Sequence, residues 1–147
     1  GRTVYGGGGI MPDVFVPLDT SEISEMYRKI SRKGIFNTFS LNYVNDNREE
    51  LSTKYAEFSK YKTEFDLENG VMDSFWEAVK AENIEYNEDD YQTSKQLIQT
   101  LIKARIASNL WSFEKFYEIY NEQENEIFKK GLELIETKSL EDLGLDY

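Results

Sequence analysis

The sequence predicts a mainly α fold, a helical bundle of about five helices preceded by a short β stub. Three observations carry that expectation. Through most of the chain after residue 18, apolar side chains return every three or four positions, the period of a helix with one buried face. Both prolines (Pro12 and Pro17) and five of the nine glycines lie before residue 18, so the helix breakers are concentrated at one end. Charge divides at the same point: residues 1–18 hold only Arg2 and Asp13, which leaves the whole formal −11 on residues 19–147. The chain reads as two parts, 1–18 and 19–147.

The first part has two short β-type runs, Thr3-Val4-Tyr5 and Val14-Phe15-Val16, separated by Gly6-Gly7-Gly8-Gly9 and Ile10-Met11-Pro12. Short apolar runs broken by Gly and Pro read as edge strands and turns. Eighteen residues cannot bury a sheet of their own. They read as the end of a sheet whose other strands lie elsewhere.

The helices follow in order. Asp19-Thr20-Ser21 precedes Ile23, Met26, Tyr27 and Ile30, spaced i, i+3, i+4, i+7, and Gly34 supplies a stop. Ile35, Phe36, Phe39 and Tyr43 continue the stripe to Val44, ahead of the turn residues Asn45-Asp46-Asn47. Asn47 with Glu50 makes a cap for a helix carrying Leu51, Tyr55 and Phe58. Asp66 to Asn69 opens a helix with Val71, Met72, Phe75, Trp76 and Val79 on one face, ending near Asn83. Asn87, with Asp90 three residues on, opens about six turns reaching Leu110. Ser112 restarts a helix through Phe113, Phe116, Tyr120, Phe128 and Ile135, and the short break at Trp111-Ser112 favours antiparallel neighbours. Residues 137–147 are acidic, with only Leu140, Leu143 and Leu145 to anchor them.

Composition excludes several function classes. With 28 acidic against 17 basic side chains, nothing offers the basic face that a phosphate backbone or an anionic membrane surface requires. No cysteine removes disulfides and thiolate chemistry. No histidine removes most zinc sites and imidazole general bases. No run of 18 apolar residues spans a membrane, and no charged stretch followed by an apolar one marks a signal peptide. No cofactor is expected.

The constellations that could carry chemistry have plainer explanations. The glycine run Gly6–Gly9 is followed by Ile10-Met11-Pro12 with no lysine, whereas a phosphate-binding loop needs Gly-Lys-Ser/Thr opening a helix. Ser112-Phe113-Glu114-Lys115 matches a Ser-x-x-Lys dyad, but Ser-Asp-Asn and Lys-Thr-Gly are absent, and a helix N-cap accounts for Ser112. Glu118, Glu122 and Glu126 fall at i, i+4, i+8, yet a di-metal bundle would pair them with Glu-x-x-His. Asn45-Asp46-Asn47 lacks the spacing and the glycine of a calcium loop. Aromatic residues form 14% of the chain, chiefly on helical stripes, so core packing explains most of them. The surplus suits a face for cationic or unfolded peptides, or a dimer face.

One resemblance goes further. Gly1-Arg2-Thr3-Val4-Tyr5, the glycine turn Gly6–Gly9 and the run Gly9-Ile10-Met11-Pro12-Asp13-Val14 resemble the end of the catalytic core in carboxy-terminal processing (tail-specific) serine peptidases. The likeness covers about the first 16 residues. The helical remainder is similar, more loosely, to the C-terminal extension of Bacteroidetes-type members, chiefly through Ala104-Arg105-Ile106-Ala107 and Leu110-Trp111.

The resemblance implies a serine endopeptidase with a Ser nucleophile and a Lys base, usually beside a PDZ domain that captures substrate C-termini, and usually exported to the periplasm or beyond. In that family the catalytic Ser and Lys precede the glycine run, so no residue of this chain inherits either role. The expectation is an excised C-terminal region, inactive alone: a strand-turn-strand stub from a truncated catalytic core at 1–18, then a helical C-terminal domain. That domain would shield or gate the active site or mediate assembly. Its partners would be the upstream core, the peptide or protein substrate of the parent enzyme, or a second copy of itself. The rival reading is a stand-alone helical interaction module unrelated to proteolysis.

Overall fold

The computed structural model describes residues 14–17, 19–68, 70–138 and 142. Among them are seven helices and no strand: α1 (Glu25–Arg32), α2 (Ile35–Lys54), α3 (Phe58–Glu64), α4 (Val71–Ala81), α5 (Glu88–Leu110), α6 (Phe113–Gln123) and α7 (Glu126–Thr137). The mainly α class stands, with seven helices in place of about five. The β stub is not seen. Val14-Phe15-Val16 is irregular, with Phe15 77% exposed, because no described segment offers it a ladder. Thr3-Val4-Tyr5 and Gly6–Gly9 lie outside the described residues.

The helix ends explain the changed count. α1 starts one turn later than its acidic lead-in suggests: Ser24 is the cap, its Oγ accepting from the Tyr27 N–H at 3.2 Å, while Asp19 Oδ1 accepts from the Ser21 N–H in a turn ahead of it. α2 does not stop at Asn45-Asp46-Asn47. Asn47 leaves helical geometry (φ −118°, ψ 15°), but its Nδ2 donates to the Tyr43 carbonyl at 2.8 Å, so the helix bends there and continues. Asn47 is therefore a kink residue and not a cap. Asn87 caps α5 as its spacing with Asp90 indicates, Oδ1 accepting from the Asp90 N–H at 2.8 Å. Ser112 occupies the N-cap position of α6 but makes no side-chain capping bond, which corrects the capping role read from sequence. The helix expected from Ser112 to Ile135 is two, because Asn125 caps a new start by accepting from the Phe128 N–H at 3.0 Å.

The chain divides into two units. Asp19–Glu124 contains α1 to α6; the other comprises Gly1–Leu18 and Asn125–Tyr147, with α7 as its described helix. The hydrophobic core lies in the first, around Ile30, Val44, Tyr61, Phe75, Ile98 and Ile102, each no more than 1% exposed. α5 is the central helix and packs against α1, α2 and α6. It buries residues on several sides, including Ser94, Ile98, Ile102, Ala104, Ile106 and Ala107, and so lacks a clean amphipathic stripe. α6 runs antiparallel to α5: Thr100 Oγ1 lies 2.9 Å from Gln123 Oε1, and the Arg105 guanidinium stacks 4.7 Å from the Phe116 ring centre.

Polar contacts fasten the helix ends onto α5. Ser94 Oγ accepts from the Ser24 N–H at 2.9 Å and donates to the Glu22 carbonyl at 2.6 Å, while Asp90 Oδ2 accepts from the Met26 N–H at 2.9 Å. Lys103 Nζ donates to the carbonyl of Phe65, the C-cap of α3, at 3.1 Å, and Tyr61 Oη returns a bond to the Lys103 carbonyl at 2.9 Å. A cation at a helix C-terminus offsets the negative end of the dipole. Ala104, Ile106 and Ala107 are core residues, and Trp111 stacks edge-on with Phe58 and Tyr61. The residues that carry the looser resemblance thus hold α5 in place.

Candidate functional site

α4 presents Gly70, Ser74, Ala78 and Ala81 along one side, the first at its N-cap. α2, its neighbour, presents Ile35, Phe39 and Tyr43 at i, i+4, i+8, with Thr38, Asn42 and Asp46 beside them. Small side chains on one wall cannot fill the space that large ones on the other leave open. The result is a groove of about 770 Å³. Ile35 and Phe39 are buried in its floor, Tyr43 and Ala78 are half-buried, and Thr38, Asn42, Asp46 and Ser74 are exposed along its edges.

The groove is electrically one-sided. Its lining holds the carboxylates of Asp46, Glu50 and Glu82 against a single lysine, Lys33. Lys33 is already engaged: Nζ donates to the Glu82 carbonyl at 2.6 Å and to Oε2 of the same residue at 3.1 Å. That bond ties the turn after α1 to the end of α4. Among the described residues neither Asp46 nor Glu50 has an ion-pair partner within 4 Å. A shallower hollow of about 500 Å³ shares Asp46, Asn47 and Glu50 and adds Glu49, Thr53 and Lys54, so the acidic edge continues past the kink. Desolvation, followed by the nearby Glu50 carboxylate, raises the Tyr43 hydroxyl above the usual tyrosine range, which keeps it a neutral donor.

A second recess, about 920 Å³, flanks the neighbouring face of α4 and is lined by Asp73, Trp76, Glu77, Lys80, Ile84 and Tyr86, among others. Trp76 meets Tyr86 and Tyr91 edge-on at 5.0 and 5.3 Å between ring centres. The rings touch one another and leave no gap for a cation between them. Tyr86 donates to Glu88 at 2.8 Å, and its hydroxyl is pushed up to about 12 by desolvation and then by that bond. Near Lys103 a polar notch of about 260 Å³ is lined by Asp66, Gln96, Gln99, Thr100 and Gln123, among others. Burial holds the Lys103 ammonium below the usual lysine range, yet it is spent on the Phe65 carbonyl.

The residues singled out by sequence are not brought together. Lys115 Nζ pairs with Glu118 and sits 4.6 Å from the Phe58 ring centre, and no hydrogen bond joins it to Ser112 Oγ. Glu122 pairs with Lys62 at 2.5 Å and Glu126 with Lys129 at 2.7 Å, and all three glutamates of that series are exposed. Among the described residues no group of three or more Asp or Glu is placed to hold a metal ion, and no helix is long and apolar enough to cross a membrane. Asp46 and the kink residue Asn47 enter the groove edge, and the Asn45-Asp46-Asn47 triplet lies within α2 instead of forming a turn. Sequence reading missed the groove. Its one signal was the small-residue series Gly70, Ser74, Ala78 and Ala81 at i, i+4, i+8, i+11.

Residues 26–112 fit a family model described as a family of unknown function (DUF8443). That span is more than half of the chain, runs from α1 through α5, and contains both recesses of α4 whole. No curated protein matches, and no solved structure does.

Proposed function

The chain belongs to this family of unknown function, and we propose that it serves as a non-catalytic helical docking domain appended to the catalytic core of a carboxy-terminal processing serine peptidase. The observation that carries this is the string Gly9-Ile10-Met11-Pro12-Asp13-Val14, in register with Gly1-Arg2 and set directly ahead of the helices. In this reading the Ser nucleophile and Lys base precede Gly1, and the parent enzyme hydrolyses peptide bonds in an exported compartment. The helices act on access or assembly. A lysine base must be desolvated to lose its proton near neutral pH, so a domain that follows the last core strands is suited to shield that cleft. The engagement of Lys115 with Glu118 is consistent with a helical part that does no chemistry of its own.

The test has two steps. The reading frame upstream of Gly1 is expected to encode a peptidase core with a Ser and a Lys. Deleting residues 19–147 from that parent is then expected to change cleavage specificity, oligomeric mass or stability, while the nucleophile still reacts with an active-site acylating probe. Unchanged cleavage kinetics and unchanged mass by light scattering would remove both the gating and the assembly role.

One observation favours a second reading. The family match starts at residue 26 and stops at 112, so it leaves out the first 16 residues, which carry the closer peptidase likeness. A recurrent α1–α5 unit of that extent also suits a stand-alone interaction module. A start codon or an unrelated domain directly ahead of Gly1 selects this alternative.

A further inference from the structure

We propose that the groove between α2 and α4 is the docking surface of this domain and that its occupant is a basic, amphipathic helical segment of a partner protein. The inference rests on the docking part of the reading above and is independent of the attachment to a peptidase. Shape comes first. From Ile35 to Glu50 the groove follows α2 for roughly 22 Å at 1.5 Å per residue, about four helical turns. Its floor is apolar, with Phe39 and Ile35 below and Ala78 and Ala81 on the far wall, so it accepts the apolar stripe of a helix laid along it.

Charge selects among the helices that would fit. Three carboxylates line the groove, its one lysine is engaged with Glu82, and Glu49 extends the acidic edge beyond the kink. Lysine and arginine bury their methylene stems on apolar surface and carry the charge to the rim. A helix with an apolar face flanked by such residues would place its cations on Asp46 and Glu50, which have no ion-pair partner within 4 Å among the described residues. An acidic helix would meet like charge along the same edge, offset only in part by Lys54 near Glu50. The −11 of the chain adds long-range attraction for the same class of partner, and the groove supplies the place. All groove residues lie inside the family match, so the surface belongs to the recurrent unit.

The experiment uses the whole 147-residue chain and a fluorescent 15-residue probe of leucine, alanine and lysine, patterned to put leucine on one helical face, with an analogue carrying glutamate for every lysine. Anisotropy titration is expected to show saturable one-to-one binding of the lysine probe and none of the glutamate probe. The pair Asp46→Lys and Glu50→Lys is expected to weaken binding at least tenfold. The same charge change at Asp73→Lys and Glu77→Lys, in the other recess, is expected to alter it less than threefold. Ala78→Trp, which fills the groove, is expected to abolish binding, and Ala81→Leu gives a milder version with far-UV circular dichroism as the check on folding.

Binding that survives Ala78→Trp and Ala81→Leu in folded protein overturns the assignment. So does equal weakening by the two charge-reversal pairs, which would mark a diffuse attraction to an acidic surface. Probe-independent self-association seen by light scattering and lost in Ala78→Trp would assign the groove to a second copy and also overturn it. None of these readouts involves peptidase activity, so failure here and failure of the peptidase attachment are told apart.

Discussion

Ser94 joins α5 to the N-cap of α1 and the residues just ahead of it, and its hydroxyl is buried while it does so. Replacing it with alanine leaves the Ser24 N–H and the Glu22 carbonyl without that partner, and an unsatisfied buried group costs about 1–3 kcal/mol. Ser94→Ala is therefore expected to lower the urea unfolding free energy by about that amount, whereas Thr93→Ala, one residue away and exposed, stays within about 0.5 kcal/mol. Equal effects at the two positions would show that the contact holds nothing. Tyr61 sets a second expectation, in pH. Its hydroxyl is raised well above the usual range, mainly by burial, and Tyr43, Tyr86, Tyr91 and Tyr120 are raised too. A group with a raised folded pKa contributes stability that is full below its unfolded value, near 10, and is lost as pH climbs through the folded value. Lys54 is raised as well, chiefly by its bond to Tyr55, whereas Lys103, depressed by burial, acts in the opposite direction, one group against six. Stability is thus expected to fall between about pH 10 and pH 12. Tyr61→Phe should make that fall shallower by about 1.4 kcal/mol per pH unit, while costing about 1 kcal/mol at neutral pH through the lost bond to Lys103. Urea titrations followed by circular dichroism at pH 7, 9, 10 and 11 separate the two effects.

At the scale of elements, glycine discriminates between helix starts and helix interiors. Gly34 and Gly70 sit at the N-caps of α2 and α4 with φ of +69° and +83°, the left-handed region that a Cβ penalises. Gly34→Ala and Gly70→Ala are each expected to destabilise by about 1–2 kcal/mol, although no atom lies within 4 Å of the added carbon. Gly131 is the counter-case: it is inside α7, has no positive φ, and a Cβ there meets open space. Gly131→Ala is expected to favour that helix by about 1 kcal/mol and raise amide protection along it in hydrogen exchange. Protection that falls instead would show that the position needs its glycine. These elements also show what the sequence made legible. Gly34 marked a helix boundary, and Asn87 with Asp90 marked the start of α5, because those signals are local. Asn47 misled because a turn-forming triplet was overridden by burial of Val44 and Leu51 on either side of it. The break at Asn125 went unread because neither Gly nor Pro marks it. The groove was illegible for a different reason: its two walls are about 35 residues apart in sequence, and only the pairing of α2 with α4 shows that small residues face large ones.

At the scale of the molecule, the buried core lies wholly between Met26 and Ile119, inside the unit Asp19–Glu124. None of the α7 residues is buried, and Ile127, Phe128, Leu132 and Ile135 are exposed on it. Hydrophobic burial is the dominant favourable term in folding, so the part that holds the core should carry the cooperativity. It should also fold without the rest. Residues 19–124 produced alone are therefore expected to unfold in one urea transition, with a midpoint within about 0.5 M of the main transition of the whole chain. The family match at 26–112 predicts less for a shorter fragment. Cutting at residue 112 removes α6, exposing the face of α5 that Phe116 and Ile119 cover, and burying two such side chains is worth about 3–6 kcal/mol. That is a large share of the stability of a domain of this size. Residues 19–112 should accordingly unfold at much lower urea and bind the apolar dye that reports exposed core, unless a partner replaces α6. Equal midpoints for the two fragments would show that α6 is an addition to a self-sufficient α1–α5 unit. A non-cooperative transition for residues 19–124 would show instead that the folding unit extends beyond Glu124.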